Sequence, residues 1–375
     1  MMKRYLILGG GIAALSAAKA IRQNDPEGLI VLLTNEDALP YNRPALTKQL
    51  LSDLSAADLA VESAAWYDAP GRDILVLTGR TVSAIDTEKK TVSLADGLVF
   101  PYDKLVYALG ARCFIPPFKG SDRANVIAVR SAADAARVRE LAKSAKSAAV
   151  IGGGVLGLEA AWSLRQGGLE VTVIEFDQQI MSRQIDAQAA AHLMAAMEKH
   201  GVKLLTRAST AFVDDEGLHL TDGRVIPADL VLVSAGVRAN MEIAAAAGIQ
   251  AERKIVVDER MTTSAPDVYA AGDCAACGMS YALWTEAAEM GEVAGTNAAG
   301  GEAVYKAVPR PLIFHGFETE LFAIGDAGRD PAKTYEVGSM PGARYYSVDG
   351  KVVGAILEGD TSRALEAKKL VLENA

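Results

Sequence analysis

A chain of 375 residues, half of them hydrophobic and 23% charged, is too long for one ordinary core and too apolar for disorder, so two or three folded domains are expected. A formal net charge of −9 argues against general nucleic-acid binding, which needs a basic surface to neutralise phosphates. Gly9-Gly10-Gly11 interrupts the N-terminal apolar run before it could form a signal peptide or membrane span, and the three cysteines, Cys113, Cys274 and Cys277, form no even disulfide framework. A cytoplasmic protein without a membrane segment is expected.

Tyr5-Leu6-Ile7-Leu8 reads as a fully buried strand, and Gly9 to Ala14 follows as G-x-G-x-x-A opening an alanine-rich helix. Gly9 suits the tight turn, Gly11 lets the backbone approach a pyrophosphate, and Ala14 permits close helix–strand packing. A second strand, Leu29 to Leu33, leads to Glu36, an acid at the spacing that holds a ribose hydroxyl. In Glu36 to Lys48, Pro40 and Pro44 fix an extended turn, and a helical pattern resumes from Leu46. On residues alone, this stretch is equally a surface loop.

Short strands at 74–77, 82–85 and 91–94, with Asp96-Gly97 as a hairpin signal, lead to the strand 102–110, and residues 130–142 form a connecting helix. The opening pattern then recurs. The strand 148–151 enters Gly152-Gly153-Gly154-Val155-Leu156-Gly157, a full G-x-G-x-x-G, and the strand 171–174 ends at Glu175. Two copies of one fingerprint imply two dinucleotide sites. Glu175 suits the free ribose of NADH and repels a 2′-phosphate; Arg183 is the one nearby cation favouring NADPH. Glu159, near the start of the following helix, also fits a first-turn acid favoured by the helix dipole.

A helix at 185–200 and strands at 203–205, 218–220 and 230–233 finish this unit, and Val268-Tyr269-Ala270-Ala271 runs into Gly272-Asp273. Alone, that pair fits a strand-ending turn with an exposed acid; beside two dinucleotide fingerprints, it fits a carboxylate that accepts from polyol hydroxyls. Cys274 and Cys277 stand as C-x-x-C, but a zinc ribbon lacks its second pair, so inert thiols are expected. Trp284 opens a helix running to Asn297. Strands near 311–314, 321–324, 334–337, 344–348 and 352–357, then a helix at 362–372, complete the chain, and His315 is expected to be structural.

The segment Glu36–Lys48, read as E-x-x-x-P-Y-x-R-P-x-L-T-K, resembles the ferredoxin and rubredoxin reductases among the flavoproteins with two dinucleotide-binding domains. Gly272-Asp273 resembles their second flavin motif. The 102–110 strand resembles their segment ending in Gly110, with Leu109 where Thr is usual, and 234–240 resembles the segment that closes over nicotinamide through Gly236. No cysteine occurs between Tyr41 and Lys48, so a thiol relay beside the flavin is not expected.

The resemblance implies an α/β fold: two Rossmann-like dinucleotide-binding domains, an FAD domain (1–110 and 237–303) with an inserted NAD domain (111–236), plus a small α+β C-terminal domain (304–375). It implies that FAD is held by Gly9, Gly11, Ala14, Glu36, Arg43, Lys48, Val82, Gly110, Gly272, Asp273 and Trp284. NADH would be held by Gly152, Gly154, Gly157, Glu159, Glu175 and Gly236. Lys48 and Glu159 are the implied catalytic pair, and no metal is expected. The implied activity is hydride transfer from NADH to FAD, then electron transfer to rubredoxin or a ferredoxin. An H2O2-forming NADH oxidase, a nitrite-reductase flavin component and a flavin-based redox sensor are the alternatives. A monomer is expected, with Arg43, Arg310, Lys333, Lys368 and Lys369 as cations that could meet an acidic carrier.

Overall fold

The apolar runs Tyr5–Leu8 and Ile30–Leu33 are buried along their whole length, as expected for strands of a parallel sheet covered on both faces. In the computed structural model, which describes residues 2–278 and 280–374, the chain forms two compact units.

The first unit comprises Met1–Pro44, Leu54–Arg112 and Val237–Ala307. Its parallel sheet runs Val268–Ala270, Lys104–Tyr107, Arg4–Leu8, Leu29–Leu33, Ile74–Leu77, with Leu6 opposite both Val31 and Leu105. A three-stranded antiparallel sheet, Val82–Asp86, Thr91–Leu94 and Val99–Pro101, belongs to the same unit.

The helices Ile12–Asn24 and Trp284–Ala298 pack together through small residues. Ala13, Ala14, Ala17 and Ala18 are buried on the first. Gly291 and Gly295 face it from the second: a Cβ at Gly291 would lie 2.2 Å from the Ala13 carbonyl oxygen, and one at Gly295 would lie 2.3 Å from that of Ala17. The two glycines are four residues apart and share one helix face, so the backbones can approach closely there.

The second unit comprises Ala45–Asp53, Cys113–Gly236 and Val308–Ala375. Its parallel sheet runs Lys203–Leu205, Glu170–Ile174, Ser147–Ile151, Leu230–Val233, Val126–Ile127. The strands Thr210–Val213 and Val225–Ile226, absent from the sequence reading, flank Leu218–Leu220 in a small antiparallel sheet. The helix expected from Leu46 onward is a single turn, Ala45–Lys48, which packs on the helix Val155–Gln166.

The C-terminal strands form an antiparallel sheet in the order Leu312–Gly316, Thr319–Gly325, Lys351–Glu358, Ala343–Val348, Glu336–Met340, with the helix Ala364–Leu372 against it. Two features tie it to the rest of this unit. Phe317 packs on Trp162 with ring centroids 5.2 Å apart. The buried Arg344 bonds both carboxylate oxygens of Asp186, at 2.8 and 3.0 Å, and pairs with Glu358 at 2.6 Å. Asp186 also caps the helix Ala187–Lys199 by accepting from the Ala189 N–H. No helix among the described residues is long and apolar enough to cross a membrane.

Gly295→Val drives a branched side chain into the Ala17 backbone, and overpacking of this kind costs about 1–3 kcal/mol. Urea unfolding should show that loss as a lower midpoint with unchanged slope. An unchanged midpoint would mean that the two helices can separate at no cost.

Candidate functional site

Each parallel sheet ends in a glycine turn of the same construction. Gly9 has φ +121°, and a Cβ there would lie 2.1 Å from the Ala108 carbonyl oxygen; Gly152 has φ +112°, and a Cβ would lie 2.3 Å from that of Ser234. Only glycine combines this backbone with such an approach. Gly11 and Gly154 then stand at the N-caps of their helices, where an added Cβ would meet nothing within 4 Å. Each turn therefore leaves open space in front of a helix N-terminus, where N–H groups and the helix dipole favour a phosphate. Gly157 permits the helix to lie against its own turn, since a Cβ would be 2.1 Å from the Gly152 carbonyl oxygen. Ala14 has the equivalent place in the first unit and is fully buried.

In the first unit, Glu36 accepts a 2.7 Å hydrogen bond from the Tyr41 hydroxyl and forms an ion pair with Arg43, whose guanidinium lies 4.9 Å from the Tyr41 ring centre. Val82 begins its strand, and Gly110 turns the chain with φ +63°. Gly272, with φ +79°, leads into a single 3-10 turn that carries Asp273, and Trp284 is the first residue of its helix. Sequence reading passed over Glu286. Its buried carboxylate accepts from the Tyr281 N–H at 2.8 Å and the Tyr305 hydroxyl at 3.1 Å, fixing the approach to Trp284. An acid two residues after a helix-opening aromatic was the available signal.

In the second unit, Glu175 accepts from the Gly153 N–H at 2.6 Å and the Asp177 N–H at 2.8 Å, so its carboxylate is turned toward the glycine turn. Gly236, with φ +94°, accepts through its carbonyl from the Phe114 N–H.

The same unit brings Lys48 and Glu159 together. Glu159 is only 4% exposed; the Thr47 hydroxyl donates to it at 2.7 Å, and the half-exposed Lys48 ammonium lies 3.9 Å away. Burial pushes the Glu159 carboxyl above its ordinary range, while Thr47, Lys48 and His315 act in the opposite direction and favour the anion. Thr47 was not singled out from sequence. His315, expected to be structural, is more than half exposed on the strand Leu312–Gly316.

The thiols are buried or part-buried, and several of the surface cations are already paired. Cys274 is fully buried, which pushes its thiol up to about 12, and burial also raises Cys277, so neither is a ready thiolate. Arg43, Lys333 and Lys369 already lie in ion pairs, with Glu36, Asp326 and Glu373. No group of metal-ligating side chains occurs among the described residues.

Residues 3–291 match the family model described as pyridine nucleotide-disulphide oxidoreductase. The chain belongs to that family. This family member is 33% identical over 384 residues to a nitrite reductase [NAD(P)H] of Bacillus subtilis (strain 168); the match covers all of this chain but 48% of the relative, so the chain spans about half of that enzyme's length. Among solved structures it resembles the ferredoxin reductase for the CYP199A2 system of Rhodopseudomonas palustris, with a TM-score of 0.90, 26% identity and coverage of 98% of this chain and 94% of that one. It also resembles NADH:rubredoxin oxidoreductase from Clostridium acetobutylicum, with a TM-score of 0.85, 27% identity and coverage of 99% and 95%.

FAD and NADH are the cofactors of this family. The two glycine turns fit them: each has the open N-cap, the close backbone approach and the acid after the second strand that a dinucleotide requires.

Glu159 supplies a test of its environment. Because its folded pKa is raised, the folded state holds the proton more tightly than the unfolded chain, and the protein loses stability as pH rises from the ordinary carboxylate range through the raised value. Glu159→Gln should therefore raise Tm at pH 7–8, and the gain should vanish near pH 4, as read from melting curves across pH. Superimposable curves for the two proteins would show that burial does not control this carboxyl.

Proposed function

We propose that this chain is a flavoprotein reductase that takes a hydride from NADH and passes electrons to a small iron or iron–sulfur carrier, with rubredoxin as the first candidate. The reading is carried by the two dinucleotide cradles, one in each unit, without a cysteine in the 41–48 stretch that could add a thiol relay. When bound, FAD supplies the conversion of a two-electron hydride into single electrons.

The protein's part is binding, alignment and charge. Gly9, Gly11 and Ala14 would hold the FAD pyrophosphate, with Glu36 near its ribose, Asp273 on the ribityl hydroxyls, and Val82, Gly110, Gly272 and Trp284 around the remainder. Gly152, Gly154 and Gly157 would hold the NADH pyrophosphate, Glu175 its adenosine ribose and Gly236 the nicotinamide half. Glu159 would keep Lys48 charged and in place at the nicotinamide end, with Thr47 fixing the carboxylate; Lys48 is thus the candidate catalytic cation and Glu159 its positioning partner. Arg43, locked to Glu36, would brace the ribose acid rather than dock a carrier.

A second reading, electron delivery to a nitrite-reducing partner, is favoured by the match to the nitrite reductase along the whole chain.

The test is anaerobic mixing with NADH, followed by oxidised rubredoxin. Flavin absorbance should bleach and then return in step with rubredoxin reduction; bleaching that ferredoxin or air reverses but rubredoxin does not would remove rubredoxin as the partner. Lys48→Met should slow bleaching roughly tenfold, equivalent to about 1.4 kcal/mol of barrier. A rate within about twofold of the parent would remove Lys48 from this step.

A further inference from the structure

The hairpin that opens the C-terminal sheet has a turn that its residues do not favour. Its strands, Leu312–Gly316 and Thr319–Gly325, are joined by Phe317 and Glu318 alone, and both residues have φ +54°. Turns of this kind prefer Asn and Gly, because a side chain crowds the left-handed backbone. The seating of the turn offsets that cost. The buried Phe317 ring lies 5.2 Å from Trp162 and 6.2 Å from Phe314 between ring centres. The Glu318 carboxylate lies 3.5 Å from His200, whose ring meets Trp162 at 5.1 Å.

Trp162 stands three residues after Glu159 on the helix Val155–Gln166, so the two share one side of it. The turn thereby fixes the strand Leu312–Gly316 against the helix that carries Glu159, and the two elements pack directly. His315 is on that strand, two residues before Phe317. All of these residues, with Thr47 and Lys48, belong to the second unit.

The helix and the strand packed against this segment bring few charges to it. The helix carries Glu159 and Arg165, and Arg165 is turned to the carbonyls of Leu169 and His200. The neighbouring strand carries Glu320, 3.7 Å from the His315 ring. Burial resists the Glu159 anion, and the Thr47 hydroxyl, Lys48 and His315 oppose that resistance. Thr47 and Lys48 come from the single turn Ala45–Lys48, whereas His315 is the contribution of the C-terminal sheet.

We propose that His315 is a further positioning residue of the Lys48–Glu159 site, its imidazolium steadying the Glu159 carboxylate that in turn holds Lys48. The inference rests on the reading of Lys48 as the cation at the nicotinamide end. It revises the expectation from sequence that His315 is structural.

The test is a double-mutant cycle on the FAD-loaded protein, with His315→Ala and Glu159→Gln made singly and together and read by melting curves from pH 4 to pH 9. Histidine side chains change charge within this range. His315→Ala should lower Tm more in the parent than in the Glu159→Gln background, by about one degree. That excess should occur only in the middle of the range, where an imidazolium and a carboxylate coexist, because the part due to Glu320 persists in both backgrounds. His315→Ala should also slow flavin bleaching by NADH roughly threefold, and His315→Lys, which keeps the charge, should restore it. Equal Tm losses in both backgrounds at every pH would assign His315 to Glu320 alone and overturn the proposal. Bleaching at the parent rate in His315→Ala while Lys48→Met is slow would also overturn it, as would bleaching that His315→Lys leaves as slow as His315→Ala. An excess in the melting curves with bleaching unaffected by Lys48→Met would support the His315–Glu159 contact and overturn the reading of Lys48 beneath it.

Discussion

The close approach of two backbones organises both units. Where the strands Arg4–Leu8 and Ser147–Ile151 end, a glycine lies so near the carbonyl that follows the adjoining strand that no side chain can intervene. That approach turns the chain directly into a helix, so the helix begins at the sheet's end and directs its first N–H groups outward. A bulkier residue would displace the turn, the helix start and the acid after the next strand together. The dinucleotide chemistry thus depends on a steric fact about backbone atoms rather than on any reactive side chain.

The elements most legible in the sequence are those whose signal is local. Buried strands such as Leu29–Leu33 and Leu230–Val233 stand where their apolar runs place them, because a sheet covered on both faces needs no alternation. The helix Trp284–Ala298 likewise follows its pattern to within a residue. The strands Thr210–Val213 and Val225–Ile226 were not legible: they are short, and only pairing with Leu218–Leu220 makes them strands. The helical pattern read from Leu46 is present but spent on a single turn against the helix Val155–Gln166.

The Lys48–Glu159 pair shows both sides of this division. Resemblance brought the two residues together across more than a hundred positions, and the structure has them 3.9 Å apart. What sequence could not supply is the burial of Glu159 and the Thr47 hydroxyl beneath it, since both depend on how Ala45–Asp53 lies on a helix far along the chain.

The buried Arg344 gives that seating a thermodynamic meaning. Its guanidinium joins an acid that caps the helix Ala187–Lys199 to an acid on the strand Lys351–Glu358, and Trp162 and Phe317 add an apolar contact elsewhere along the same junction. Detaching the C-terminal sheet would take the guanidinium away from Asp186, the cap of a helix in the nucleotide fold, and uncover an indole at once, while Glu358 would keep Arg344 because both belong to the sheet. The sheet and the fold beneath it are therefore coupled as one cooperative folding block, in which a fault in either is felt by both.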